Sequence, residues 1–348
     1  MQVIKEVYII STGDIIRGRM AGTQRVLKIA KSLSAGGINT YLCSLKYINN
    51  DRITPKELFP GIWSLESEGN LVSDSVHLSA FLRTVNKFIK ERFSDKIIYL
   101  YPTSFVLKDF IYFIYFRVLK GYKFFCDINE LRSSNVFATT APSNITSKFI
   151  FYLKSFYDLI SYKLSEFQAF FYDGIVVISA NLHKYFKRFN KNIIRVPILC
   201  DLSNIMAGPE TFLHFDNKVF KICFAGTISC AKEGFNILFE ALEKLNSDKN
   251  VELYLYGPLH DNDKFVLEKL MTVLKLNSKV FYVGNIDADE LLNEFKKYHL
   301  LILPRPLNLQ TKYGFSTKLS EYLVSGVPAL VTDVSDNALY IKDKINGY

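Results

Sequence analysis

Strand-length apolar runs and amphipathic helical segments alternate along almost the whole of this chain, and that alternation restricts it to α/β folds built on parallel sheets. Residues 7–11 read as a strand, residues 23–35 place Val26, Ile29, Ala30 and Leu33 at helical spacing before the Gly36-Gly37 stop, and residues 40–45 return as a strand. A helix over 80–92 and strands over 96–101, 122–127 and 174–179 continue the pattern. Residues 196–218 hold Pro197, Gly208 and Pro209 and no sustained periodicity, which marks a linker. Beyond it the alternation restarts, with strands at 220–225, 251–256, 280–283 and 300–303 and helices at 235–245, 265–274 and 290–297. A chain of 348 residues exceeds the usual domain of about 100–200 residues, so we expect two doubly wound domains, 1–200 and 201–348. Ligands of such sheets bind beyond the carboxyl ends of the strands, and a cleft between the domains is the expected site.

Composition narrows the class. Hydrophobic residues make up 49% of the chain, enough for two cores. The five cysteines, Cys43, Cys126, Cys200, Cys223 and Cys230, form no CxxC pair, which argues for reduced thiols in a cytosolic protein and against a zinc site. The five histidines are scattered, and none is assigned to a metal. Asp261, Asp263, Asp287 and Asp289 are read as helix-capping acids, Asp287 with Glu290 as a capping box. Lys5 and Glu6 interrupt the opening residues, so these read as the approach to a strand and not as a secretory leader. The apolar run 110–116 is far short of the ~20 residues that span a bilayer.

Charge is uneven. Residues 1–200 carry 27 Lys and Arg against 15 Asp and Glu, so all of the net +9 resides in the first domain. Either this is solvated surface or it attracts an anionic partner. No nucleic-acid-binding pattern is present, which leaves an anionic membrane surface as the expected partner, with the protein cytoplasmic and peripheral on the inner face of the membrane. Aromatic and basic residues interleave over 148–172 and 112–123. Such helices either cover their own sheet, the commoner arrangement, or lie at a lipid interface.

The stretch YGFSTKLSEYLVSGVP, residues 313–328, carries the sharpest functional signal. Lys318 and Glu321 stand three apart, on one face near a helix N-terminus. That terminus offers unpaired N–H groups and a positive dipole end to a phosphate, and a carboxylate beside it can accept hydrogen bonds from sugar hydroxyls. The segment resembles the nucleotide-sugar-binding signature of the retaining glycosyltransferases of family 4, in the GT-B superfamily, whose helix-borne glutamate is matched by Glu321 and whose Gly and Pro are matched by Gly326 and Pro328. A second glutamate of that pattern aligns with Tyr313, whereas Gly314 and Phe315 match. The resemblance extends along the chain through Gly22-Thr23-Gln24-Arg25, through 172–179 with 194–201, and through Gly226 to Gly234. Where many members carry an arginine after the glycine matched by Gly226, Thr227 stands. The sequence ends where the family enters its last helices, so it is either a fragment or a chain that closes its cleft differently.

The resemblance implies a GT-B fold, two tandem Rossmann-like domains facing across a cleft, and transfer of a sugar from a nucleotide-sugar donor to a lipid-linked or saccharide acceptor, with retention and without a cofactor. Lys232, Glu321 and Arg305 are the expected catalytic residues. Lys232 is either a phosphate ligand or an exposed loop lysine, and Arg305, between Pro304 and Pro306, is either aimed at the phosphate or part of a structural ion pair. Donor contacts are expected from Gly226, Thr227, Gly234, Gly314, Phe315, Ser316, Thr317 and Lys318. On the acceptor side stand Gly22, Thr23, Asp127 and Glu130, the two acids being either cleft residues or parts of a helix cap or surface turn. Two alternatives share the fold: a GT-B enzyme of another reaction type, an epimerase or phosphorylase, and a catalytically weak partner subunit.

Overall fold

Runs of β-branched and aromatic residues that are buried on both faces build parallel strands, because crossover helices cover both sides of such a sheet. The computed structural model describes residues 5–17, 21–48, 52–68, 78–92, 96–102, 106–136, 144–198, 219–230, 232–246 and 249–348. The chain divides into two units, residues 1–199 and 200–348. Most of the expected linker, residues 199–218, lies outside the described residues.

In the first unit β1 (Glu6–Ser11), β2 (Asn39–Ser44), β3 (Ile53–Phe59), β4 (Ile62–Ser67), β5 (Ile97–Leu100), β6 (Lys123–Ile128), β7 (Gly174–Val177) and β8 (Ile193–Arg195) form one sheet. Its order is β3-β4-β2-β1-β5-β6-β7-β8. Every pairing is parallel except β3 with β4. The helices are α1 (Ala21–Ala35), α2 (Leu78–Lys90), α3 (Val106–Phe113, continued by a wider turn through Leu119), α4 (Ile145–Gln168) and α5 (Ala180–Phe186). Val26, Ile29 and Ala30 of α1 pack on Ile9, Leu42 and Ile97 of the sheet, as their spacing predicts. The β3–β4 hairpin has no counterpart in the sequence reading. β3 is largely exposed and contains Pro55, so it lacks the alternation of a half-buried strand.

One expectation is corrected here. The aromatic segment 148–172 does not cover the sheet with its apolar face. Ser155, Glu166 and Gln168 are the buried residues of α4, while Phe149, Phe156, Leu164 and Phe167 are exposed.

In the second unit β9 (Phe220–Ala225), β10 (Val251–Tyr256), β11 (Val280–Gly284), β12 (Leu300–Leu303) and β13 (Ala329–Val331) form a parallel sheet in the order β11-β10-β9-β12-β13. The helices are α6 (Phe235–Leu245), α7 (Asp261–Val273), α8 (Ala288–Phe295), α9 (Leu309–Tyr313), α10 (Thr317–Ser325) and α11 (Asn337–Tyr340). Alternate residues of β9 serve opposite cores. Ile222 and Phe224 meet Phe235 and Phe239 of α6 on one face, and Cys223 and Ala225 meet Leu319 and Tyr322 of α10 on the other. The strand order reverses between β9 and β12, and the carboxyl ends of these two strands open onto the switch point.

Candidate functional site

β9 ends at Ala225 and the chain turns at Gly226 with φ +136°, a conformation that disfavours any side chain. A Cβ there would also overlap Cε of Lys318. The loop runs through Thr227, which is exposed, and Ile228, whose N–H donates to the Pro258 carbonyl. The carboxylate of Asp263, in the first turn of α7, accepts from the Cys230 N–H at 2.8 Å and ties the loop down. Gly234 then starts α6. Its N–H donates to the Pro304 carbonyl, and a Cβ would come within 2.6 Å of that oxygen. Glycine at 234 therefore lets the loop after β9 touch the loop after β12.

That approach brings three charges together. Lys318 Nζ donates to Glu233 Oε1 at 2.5 Å, and Arg305 Nη2 lies 3.6 Å from the same oxygen. Glu233 is 2% exposed and Lys318 8%. Burial pushes the Lys318 ammonium below the ordinary lysine value. Glu233 pulls it back, Arg305 adds to the lowering, and Glu321 one turn further along α10 opposes it. The ammonium also stands 4.5 Å from the centre of the Phe224 ring. Glu233 Oε2, Arg305 Nε and Ser316 Oγ are buried and have no hydrogen-bond partner among the described residues. Unsatisfied buried polar atoms are rare, and these are free to take a water or a bound ligand as partner.

The remaining expected donor residues fall as follows. Ser316 is the N-cap of α10, and its hydroxyl makes no capping bond. Thr317 opens the helix and its carbonyl accepts from Ser320 Oγ. Gly314 accepts from Ser335 Oγ through its carbonyl, and Phe315 packs edge-on against Tyr340 beside the unit's core. Glu321 is half-buried, and Gly326 ends the helix at φ +75° as the Gly-x-Pro pattern predicts. Lys232 is exposed. Arg305 joins an ion pair with Glu233, and its Nε has no hydrogen-bond partner among the described residues. The sequence reading missed Glu233. An acid set between Lys232 and the glycine that opens a helix is the local signal that could have found it. The capping box at Asp287 is corrected: Asp287 is the N-cap of α8, with no side-chain capping bond, and the side chain of Asp289 lies outside the described residues.

On the acceptor side, Thr23 Oγ1 donates to the Asp14 carbonyl at 2.6 Å, and a Cβ on Gly22 would crowd the Tyr101 hydroxyl at 2.8 Å. These residues seat α1 against the ends of β1 and β5. Asp127 is neither a helix cap nor a surface turn. It is fully buried in β6, pairs with Arg25 Nε at 3.0 Å and accepts from the Tyr99 hydroxyl at 2.7 Å. Burial raises its pKa, while Arg25 and Tyr99 act against that rise. Glu130 is exposed, lies 3.6 Å from Arg132, and lines a cavity of about 40 Å³ with Asp109, Arg132, Tyr162 and Glu166. Glu166 gives one oxygen to Lys163 and Tyr185, and the other is buried without a hydrogen bond among the described residues. Among the described residues no group of His, Cys, Asp and Glu could hold a metal ion.

Residues 212–348 match the family model of glycosyl transferases group 1. No curated protein matches the chain by sequence. Solved structures resemble it over nearly its whole length. Sucrose-phosphate synthase from Thermosynechococcus elongatus is 14% identical, with a TM-score of 0.66 over 99% of this chain and 85% of that one. A glycosyltransferase from Rickettsia africae is 15% identical, with a TM-score of 0.63 over 99% and 83%. HepE from Anabaena, in complex with UDP, is 12% identical, with a TM-score of 0.62 over 99% and 85%. At these identities the likeness is one of fold, and the fold is GT-B. Together with the family match in the second unit, it supports a glycosyltransferase.

Proposed function

We propose that the protein is a retaining glycosyltransferase of family 4 that moves a sugar from a nucleotide-sugar donor to a lipid-linked or cell-surface saccharide intermediate. The observation that carries this reading is the convergence of Lys318 and Arg305 on one buried carboxylate at the switch point of the sheet. Departure of a nucleoside diphosphate builds negative charge that must be stabilised as it forms. Lys318 and Arg305, held by Glu233, stand at the N-terminal turn of α10, where the cations and the helix N–H groups together suit a phosphate. Glu233 holds both cations in position before the donor arrives, so little reorganisation is left for the reaction step. Lys232, exposed before α6, reaches the same diphosphate from the loop after β9, and Glu321 accepts hydrogen bonds from the donor sugar. HepE, which shares the fold, binds UDP, and that supports a nucleoside diphosphate as the ligand class here.

A panel of nucleotide sugars, each offered with and without saccharide and lipid-linked acceptors, tests the reading. Transfer should require both substrates and should fall about tenfold to a hundredfold in a folded Glu321→Ala variant, the usual cost of one charge-assisted hydrogen bond. Turnover of the donor with no acceptor present would favour an epimerase or phosphorylase. Wild-type transfer by Glu321→Ala would remove Glu321 from the site.

A further inference from the structure

A helix that covers a sheet turns its apolar side inward and its charges outward, and α4 does the reverse. Phe149, Leu153, Phe156, Ile160, Leu164 and Phe167 follow one another at helical spacing of three and four, and each is 46–64% exposed. The opposite side carries Ser155 and Glu166, which are buried, and Asp158, Tyr162 and Ser165, which line cavities inside the unit. Charge is sorted in the same sense. Lys148 and Lys154 are exposed, Lys163 is exposed but paired with Glu166 at 2.9 Å, and both acids of the helix, Asp158 and Glu166, line cavities of the unit. The result is an apolar stripe about 27 Å long from Phe149 to Phe167, at about 1.5 Å per residue, with Lys148 and Lys154 at the surface beside it.

Such a stripe needs an apolar partner that tolerates positive charge. A second copy of this chain is disfavoured, because each copy would bring the same lysines and a first unit with 27 basic against 15 acidic residues in positions 1–200. A bilayer with anionic headgroups satisfies both demands: acyl chains take the rings and aliphatic side chains, and lysine stems carry their ammonium groups to the phosphates. No helix among the described residues is long and apolar enough to cross a membrane, so the arrangement is one of lying flat. We infer that the outer face of α4 docks in the interface of an anionic membrane. The inference rests on the functional reading for its purpose, since a lipid-linked acceptor lies in that surface, and it is read independently of catalysis.

Co-sedimentation of the full-length protein with phosphatidylcholine vesicles, with and without phosphatidylglycerol, tests it in low and high salt. The protein should pellet with the anionic vesicles at low salt. The partition coefficient should drop at least about tenfold in Phe149→Asp/Phe156→Asp and in Lys148→Glu/Lys154→Glu, while the circular dichroism and nucleoside diphosphate binding of both variants stay unchanged. Wild-type protein that remains in the supernatant overturns the inference, as does an aspartate variant that pellets like wild type. A dimer in solution that the aspartate pair converts to monomer would assign the face to a second copy instead. Retained pelleting without sugar transfer would overturn the functional reading alone.

Discussion

Replacing Lys318 by methionine separates the ion pair its ammonium makes with Glu233 from the diphosphate contact proposed for it. Its Nζ is 2.5 Å from Glu233 Oε1, and without it that carboxylate, 2% exposed, keeps Arg305 at 3.6 Å as its cation among the described residues. Breaking a buried ion pair by removing one partner costs about 3–5 kcal/mol. Because Arg305 still faces the carboxylate, the lower end applies, about 3 kcal/mol, which lowers the unfolding midpoint by about 6–12 °C for a unit of the size of residues 200–348. Affinity for a nucleoside diphosphate should fall about tenfold to a hundredfold, the equivalent of about 1.5–3 kcal/mol for a charge-assisted bond to phosphate, with little change for the bare nucleoside. The double variant Lys318→Met/Glu233→Gln removes both charges, so it should regain most of the lost stability and none of the lost affinity. Calorimetric unfolding and titration calorimetry on the same three proteins read both quantities. Recovery of diphosphate affinity in the double variant would refute the reasoning, because it would mean that Lys318 acts only by neutralising Glu233.

Three further outcomes follow from the surroundings of Lys318. Gly226→Ala forces a Cβ into Lys318 Cε at a φ of +136°, so it should lower diphosphate affinity as far as Lys318→Met does and should also destabilise the second unit, measurable by the same two methods. The lowered pKa of Lys318 sets a pH window: diphosphate affinity should decline as pH rises through a value below the ordinary 10.5, and this decline should be absent in Lys318→Arg. Between that lowered value and 10.5 the unfolded chain holds a proton that the folded one has released, so the contribution of Lys318 to folding stability should rise with pH in denaturant titrations.

Local patterning carried most of the fold. The spacing of Val26, Ile29 and Ala30 and the apolar runs of β9 and β10 need only neighbouring residues to be recognised. Periodicity shows that a helix has two faces without saying which one is inward, and α4 follows the rarer choice, with Ser155 inside and Phe156 outside. α9 spans Leu309–Tyr313, too short to show a period, and is held by the reciprocal cap of Asn308 and Thr311. Within the site, the helix bearing Lys318 and Glu321 was legible because its glycine stop and its N-terminal chemistry are local. Glu233 was not, since its partner Lys318 stands 85 residues away and the approach of the two depends on tertiary contacts such as that between Gly234 and Pro304.

Arg25 bears on how the chain is made. Its guanidinium sits in α1, near the start of synthesis, yet its hydrogen bonds go to Asp127, to the Val196 carbonyl and to the Pro197 carbonyl, 172 positions later. A ribosome working at about 5–20 residues per second needs on the order of ten to thirty seconds to supply that last acceptor. Asp127 can pair with the guanidinium earlier, but until Val196 and Pro197 are made two of its nitrogens lack the carbonyls that they bond in the finished unit. The hydrogen bonds around Arg25 can therefore be completed only once synthesis has reached the end of the first unit.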